Sequence, residues 1–282
     1  MIRIQILGSA AGGGLPQWNC ACVNCLAARE GKIDPQTQSS VAISARSGEV
    51  QSWWLINASP DLPRQIENTT RLQPRHKRSR NTPIAGVLLT NADIDHALGV
   101  LLLRQQEKPL VVYATAETQA ALAWLDRSLE RFCGIQWRTV TPEFQSLDIA
   151  MAFRAIELSG SVAFQFRDDT SGRTALFAPS VGSLTEQLRD AVHTSDLVMF
   201  DGTFWSNEEL GRVRPGARSA REMNHIPIND GSFDVLRQSR ARRKIYIHVN
   251  NTNPIFMSGS YERAQIEQAG IEVAHDGMEI VL

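Results

Sequence analysis

The chain has 282 residues, with 29 Lys and Arg against 30 Asp and Glu, for a formal net charge of -1. A hydrophobic content of 43% beside 21% charged residues is globular composition, which excludes a disordered or fibrous chain. The balanced charge argues against a general nucleic-acid binder, because counterion release needs a basic face.

Residues 2–7 read as a first strand, and their apolar run from Ile4 to Leu7 is too short for a signal-peptide core. Gly12-Gly13-Gly14 follows, missing the dinucleotide pattern G-x-G-x-x-G. Next comes the feature that stands out: Cys20, Cys22 and Cys25 form a C-x-C-x-x-C cluster. A cytoplasmic location is expected, where thiols stay reduced, so close spacing suggests metal rather than a disulfide. Thiolates suit a structural Zn(II), and one loop supplies several of them without long-range ordering. Inert buried thiols and a redox centre are the other readings. Three cysteines leave a tetrahedral site one ligand short, to be completed by a histidine, a carboxylate or Cys133.

Further strands are expected at 39–44, 53–57, 85–90, 110–114, 151–158, 162–166, 175–178, 197–201, 244–249 and 271–274, from short β-branched runs. Helical patterns fall at 96–106, 117–132, 184–192, 232–240 and 261–269, with capping chemistry at Thr185 and Ser260. Strands dense in the first half and alternating with helices later suggest layered sheets with helices outside, one α/β domain over 1–282. The basic run 71–80 (RLQPRHKRSR) reads as a solvated loop or as a site for an acidic partner. No window approaches 18 uninterrupted apolar residues, so no membrane span is expected.

Three places carry candidate chemistry. Asn91-Ala92-Asp93-Ile94-Asp95-His96 follows an apolar strand and opens a helix, so Asp95 and His96 can face one cleft, with Asp93 adding a carboxylate; capping of the helix by Asp95 is the plainer alternative. His248 ends a strand before the polar turn Asn250-Asn251-Thr252-Asn253-Pro254. Asp201 in Phe200-Asp201-Gly202-Thr203 and His225 in Met223-Asn224-His225 repeat the pattern of a polar residue at the end of an element. No G-x-S-x-G elbow is present.

Taken together, the stretches LGSAAGGGLPQWNCACVNC (7–25), TQSSVAIS (37–44), NASPDLPRQI (57–66), LTNADIDHALGVLLLR (89–104), FDGTFW (200–205), REMNHIPI (221–228), IHVNNTNPI (247–255) and VAHDGMEIVL (273–282) resemble the pyrroloquinoline quinone biosynthesis protein B family of the metallo-β-lactamase superfamily. The resemblance runs from end to end. It implies an αββα sandwich, two mixed sheets flanked by helices, with a metal site at the edge between the sheets. Superfamily hydrolases carry H-x-H-x-D-H where this chain has Asn91 to His96, so Asn91 and Asp93 stand in place of the first two histidines. The bridging aspartate falls near Ser180, and the late histidine matches His248.

One metal set therefore survives: Asp95, His96 and His248. Two imidazoles and one carboxylate are the ligands of non-haem Fe(II) oxygenases, whereas zinc hydrolysis would want a three-ligand zinc or two ions. The resemblance likewise implies an iron- and O2-dependent hydroxylase. Its substrate would be a tyrosine-type ring in an amino acid cut from a ribosomal precursor peptide. On this reading Asp95, His96 and His248 hold Fe(II); Asp93, Asp201 and His225 orient ligands or move protons; and Cys20, Cys22 and Cys25 hold structural Zn(II). Related phosphodiesterases place a histidine where Asn251 stands. The segment SGSVAFQFRDDTSGR (159–173) is shorter than the family's usual lid, and Arg104 or the 71–80 run is a candidate receiver of a substrate carboxylate. The alternatives are a metal-dependent hydrolase of the phosphodiesterase or lactonase kind, and a non-enzymatic carrier of the quinone or a peptide. A homodimer is compatible with all of them.

Overall fold

A computed structural model describes residues 1–45, 52–75 and 80–282. Strands β1 (Ile2–Gly8), β2 (Ser40–Ala45), β3 (Trp53–Ile56), β4 (Ile84–Leu88), β5 (Leu110–Ala114) and β6 (Ile135–Thr139) form one sheet. Strands β7 (Gln145–Asp148), β8 (Met151–Leu158), β9 (Ser161–Asp168), β10 (Thr174–Ala178), β11 (Leu197–Asp201), β12 (Arg243–Ile247) and β13 (Glu272–Val273) form the other, and β14 (Glu279–Val281) returns to the first sheet beside β1. Each sheet is antiparallel on one side and parallel on the other, the change falling at β3–β4 and at β10–β11.

The period-two alternation of the strands sorts their side chains into layers. Ile2, Ile4 and Ile6 of β1 meet Phe153, Phe164, Phe166 and Phe177 of the second sheet in the central core. The alternate residues face outward: Leu176, Val198 and Phe200 pack under helices α6 (Glu186–Thr194), α7 (Ser232–Gln238) and α8 (Tyr261–Gln268). On the other side Leu55, Val87 and Val112 pack under α2 (Leu62–Glu67), α3 (Ile94–Ala97) and α5 (Ala123–Leu129), which follows α4 (Ala116–Ala121). Helix α1 (Val23–Arg29) lies apart from these, with Cys25 in a small cluster beside Ala10 and Leu15. Strands buried on both faces explain the continuous apolar runs in the sequence.

Asp276, just before β14, ties the two ends of this arrangement. Its carboxylate accepts from Ser9 N at 2.9 Å and Ser9 Oγ at 3.1 Å, and from Thr37 N and Thr37 Oγ1, each at 2.7 Å.

Several expected elements change on folding. The helix expected at 96–106 is one turn of α-helix continued as a 3-10 helix over Leu98–Leu103. Gly99 explains the tightening: its N–H donates to Ala58 O at 2.8 Å, and a Cβ there would stand 2.3 Å from Ser59 O. The helix expected at 117–132 is divided at Leu122, whose φ of -97° and ψ of 15° leave the helical region. Thr185 and Ser260 cap α6 and α8 through side-chain oxygens, as expected. Strands β6, β7 and β14 and helices α1 and α2 lie outside the expected set. β6 and β7 show little burial and little apolar alternation, as outermost strands do. The segment 159–173 contains the strand expected at 162–166, which extends to the whole of β9 and is reached from β8 by a tight turn with Gly160 at φ 69°. Of the basic run 71–80, positions 76–79 lie outside the described residues, and Arg71 pairs with Glu279 at 3.2 Å.

Candidate metal centre

The parallel strands of both sheets deliver their carboxyl ends to one edge, and the polar residues singled out from the sequence converge there. The loop after β4 and the start of α3 supply Asp95 and His96, β11 ends at Asp201, and His248 stands one residue beyond β12. His248 adopts φ 58°, a left-handed conformation that non-glycine residues seldom take, and this turns its ring back toward Asp95.

Ligand atoms of Asp95, His96 and His248 lie within 4.8 Å of one another. Asp95 Oδ2 is 3.2 Å from His248 Nε2 and 3.7 Å from His96 Nε2. His96 is fully buried, yet its Nε2 has no hydrogen-bond partner among the described residues. A buried polar nitrogen without a partner is costly, and aimed at a carboxylate and a second imidazole it fits a cation. The residues present thus suit a metal bound by two nitrogens and one oxygen. Burial, offset in part by Asp95, takes His96 down to about 4, so its imidazole is neutral and its lone pair free. Burial alone would raise Asp95, but His96 and His248 hold it well below the usual carboxylate range.

Asp201 belongs to a different arrangement. Its Oδ2 lies 2.7 Å from His225 Nδ1 and accepts from Val181 N at 2.8 Å, while its Oδ1 accepts from Thr203 N at 2.9 Å and Thr203 Oγ1 at 2.6 Å. Its oxygens are fully engaged by donors, so it orients its neighbours. Burial would lower His225, but the Asp201 carboxylate beside it, with Asp93 and Asp95 farther off, outweighs that and raises it. Burial likewise opposes ionisation of Asp201, and His225 more than reverses this. The His225 ring stacks on that of His248, with centroids 5.6 Å apart. The preceding Asn224, at φ 63°, sits over Gly182, where a Cβ would meet Asn224 Oδ1 at 1.8 Å.

Asp93 is not among the converging ligand atoms: it is exposed, and its carboxylate accepts from Asn91 Nδ2 at 2.7 Å. Asp95 does not cap the helix, since Asp93 holds the N-cap position and no side chain caps it. Ser180 lies in the loop after β10, its carbonyl accepting from Ser161 Oγ at 2.9 Å. Arg104 is exposed.

The cysteines converge as expected, and the fourth position is filled by a residue outside the expected ligand set. The carboxamide end of Asn251 lies 3.2 Å from Cys20 Sγ, 3.5 Å from Cys22 Sγ and 3.2 Å from Cys25 Sγ. The atom facing the sulfurs is Nδ2, which donates to all three; turned so that Oδ1 faces them, the same amide would offer the fourth ligand of a tetrahedral three-thiolate zinc site. Cys133 is instead buried beneath the first sheet. Burial pushes the Cys22 thiol up to about 11; Cys20 is lowered overall, because hydrogen bonds from Cys22, Cys25 and Asn251 exceed the effect of its own burial. Asn24, inside the motif, donates to Asn251 O at 2.9 Å and Asn253 O at 2.8 Å, so the cysteine loop grips the turn that follows His248.

Glu209 is a buried acid that no sequence motif marks. It is only 4% exposed and accepts from Trp205 N and from Thr252 Oγ1, both at 2.6 Å. Burial pushes it up to about 7 against these bonds.

Comparison with known proteins follows the same lines. A family model described as a beta-lactamase superfamily domain matches residues 52–249. The coenzyme PQQ synthesis protein B of Cupriavidus taiwanensis is 38% identical over 309 aligned residues that take in all of both chains, and that of Rhizobium meliloti is 36% identical over all of this chain and 98% of its own. The crystal structure of Zn2+-bound PqqB from Methylobacterium extorquens superposes with a TM-score of 0.89 at 34% identity, over 99% of this chain and 100% of that one. A diphosphatase from the PhnP family shares the fold at a TM-score of 0.75 and 17% identity, over 100% of this chain and 98% of its own. The fold is therefore the metallo-β-lactamase αββα sandwich, and the chain belongs to the coenzyme PQQ synthesis protein B family of the β-lactamase superfamily.

Proposed function

We propose that the chain is an iron- and O2-dependent hydroxylase in the synthesis of PQQ or a related peptide-derived product, acting on a tyrosine-type ring. The observation that carries this reading is the ligand set. Asp95, His96 and His248 converge, and the two positions that would complete a second hydrolytic site, Asn91 and Asp93, are bonded to each other. Asp95, His96 and His248 would hold Fe(II), which when bound would supply redox chemistry toward O2.

The remaining roles fall to the chain's own groups. Asp201 Oδ2 holds the proton on His225 Nδ1, which leaves Nε2 to give or take a proton at the substrate. Thr203 holds His248 through Nδ1 at 2.8 Å. Cys20, Cys22 and Cys25 would hold structural Zn(II), and Asn24 between them ties their loop to the turn that follows His248. The short β8–β9 turn bears on the substrate: Asn224 Nδ2 donates to Ser159 O, so a longer segment at this turn would lie over Asn224 and His225. With a tight turn here the cleft is open to a substrate larger than a free amino acid, a precursor peptide included.

The test is O2 uptake by anaerobically purified, Fe(II)-loaded protein given tyrosine-containing peptides. Uptake that depends on substrate, and that His248→Ala abolishes together with iron binding, is the expected result. Equal turnover by Zn(II)- or Mn(II)-loaded protein without O2 would overturn it in favour of a hydrolase. Tight binding of peptide or quinone with no turnover under any metal would favour a carrier.

A further inference from the structure

The two positions where hydrolases of this fold carry extra histidines have an assignable task here. Asp93 N–H donates to one terminal atom of the Asn91 side chain at 3.1 Å, so that atom is Oδ1, the acceptor. The other terminal atom lies 2.7 Å from the Asp93 carboxylate, so it is the donor Nδ2. Both Asp93 contacts therefore fix the orientation of the amide, which coordinates alone often leave open. His96 Nδ1 lies 2.7 Å from Asn91 Oδ1, an atom that can only accept.

A second contact agrees. Thr90 Oγ1, 3.2 Å from His96 Nδ1, gives its own hydrogen to Asn57 Oδ1 at 3.1 Å and so offers Nδ1 only lone pairs. Asn57 Oδ1 is itself fixed as an acceptor by Thr90 N–H at 2.9 Å. Were the hydrogen of His96 on Nε2, it would be a buried donor with no partner, and Nδ1 would face two acceptors with no hydrogen between them.

We propose that Asn91 is a positioning residue, held by Asp93, that fixes His96 as the Nδ1–H tautomer and so delivers its Nε2 lone pair toward Asp95 and His248. The chain runs from the Asp93 carboxylate through the Asn91 amide to the His96 ring. Where hydrolases of this fold carry two further histidines, Asn91 and Asp93 thus form a clamp on His96. The inference rests on the reading that His96 binds metal, but its first test does not.

Long-range 1H–15N correlation on the metal-free wild type reads the tautomer of His96 directly. A protonated Nδ1 with a pyridine-type Nε2 is expected; an Nε2–H tautomer overturns the proposal whether or not the folded protein binds metal. The second arm is Co(II) binding followed by its visible absorption in protein with the cysteine site already filled by zinc. Asn91→Ala is expected to lose about 10- to 100-fold in affinity and to show a mixed tautomer signature, the size typical of a lost partner behind a metal-bound histidine. The double variant Asn91→Asp/Asp93→Asn keeps an acceptor toward Nδ1 and a donor–acceptor pair between the two positions, and is expected to retain the Nδ1–H signature and most of the affinity. A loss below twofold in folded Asn91→Ala, with the wild-type tautomer unchanged, would overturn the assignment. Should Asn91→Ala fail to fold, the wild-type spectrum and the Asn91→Asp/Asp93→Asn double variant decide it. Absence of Co(II) binding to the wild type would instead count against the proposed metal centre.

Discussion

The Thr203 hydroxyl and the His248 ring share a hydrogen bond of 2.8 Å at Nδ1, while the same hydroxyl lies 2.6 Å from Asp201 Oδ1. A hydroxyl has one hydrogen, and the shorter contact to a carboxylate takes it, so Thr203 accepts from His248 Nδ1–H. His248 Nε2 is thereby left with a lone pair only 3.2 Å from Asp95 Oδ2, two acceptors that a cation reconciles. Thr203→Val should strand both buried partners. A loss of about 1–3 kcal/mol in urea unfolding is expected, with about 10- to 100-fold weaker metal binding. Thr203→Ser should restore both.

The Asp201–His225 pair gives a pH dependence whose sign is fixed by the raised His225. The stability it contributes is fully present below the unfolded-state value of about 6.5 and is lost as pH rises through the higher folded-state value. Asp201→Asn should lower the His225 titration, followed by NMR, and should remove that limb from the stability profile. An unchanged His225 titration in Asp201→Asn would contradict the pairing.

Glu209 supplies a second limb with the same direction but a different range. Buried and raised to about 7, it is protonated in the folded protein where the unfolded chain is ionised. Stability should therefore fall between about pH 4.5 and 7, by about 2–3 kcal/mol across that window. Glu209→Gln should flatten the melting temperature over this range. A fall of equal size in the variant would assign the dependence to other groups.

Zinc at the cysteines should bind the folded state more tightly than the unfolded chain, whose three close thiols keep some affinity. At a free concentration 1,000 times the folded-state Kd it adds at most about 4 kcal/mol. A strong chelator is expected to lower the unfolding midpoint of the wild type and to leave Cys25→Ser unmoved. Because Asn24 ties the loop to Asn251 and Asn253, the same treatment should also weaken Co(II) binding at Asp95, His96 and His248.

Much of the site could be read from residue types alone. Asp95, His96 and His248 each end a strongly apolar strand or open the helix after one, and such ends are where parallel sheets gather polar groups. The cysteine spacing was equally plain. What the sequence hid were partners defined by distance in space. Position 251, 226 residues from Cys25, was marked only by the histidine that related phosphodiesterases place there, and an amide gives no sign of its own that it faces three thiols. Glu209 sits in an irregular loop with no periodicity, so its burial had no pattern to show. Thr203 lay inside a quoted motif, but its role depends on a hydrogen that only the contacts of both neighbours can assign. The edge strands β6 and β7 escaped notice because an outermost strand need not alternate apolar and polar residues.

Asp276 holds Ser9 and Thr37 at once, and these two residues bracket the glycine turn, the cysteines and α1. The anchor is 267 residues from Ser9. Contacts of such separation form slowly, since the intervening chain must be ordered before they close. The loop of three thiols closes on itself through Ala10 N–H to Thr37 O at 2.9 Å, so what Asp276 adds is a late coupling of that closed loop to the edge of the first sheet.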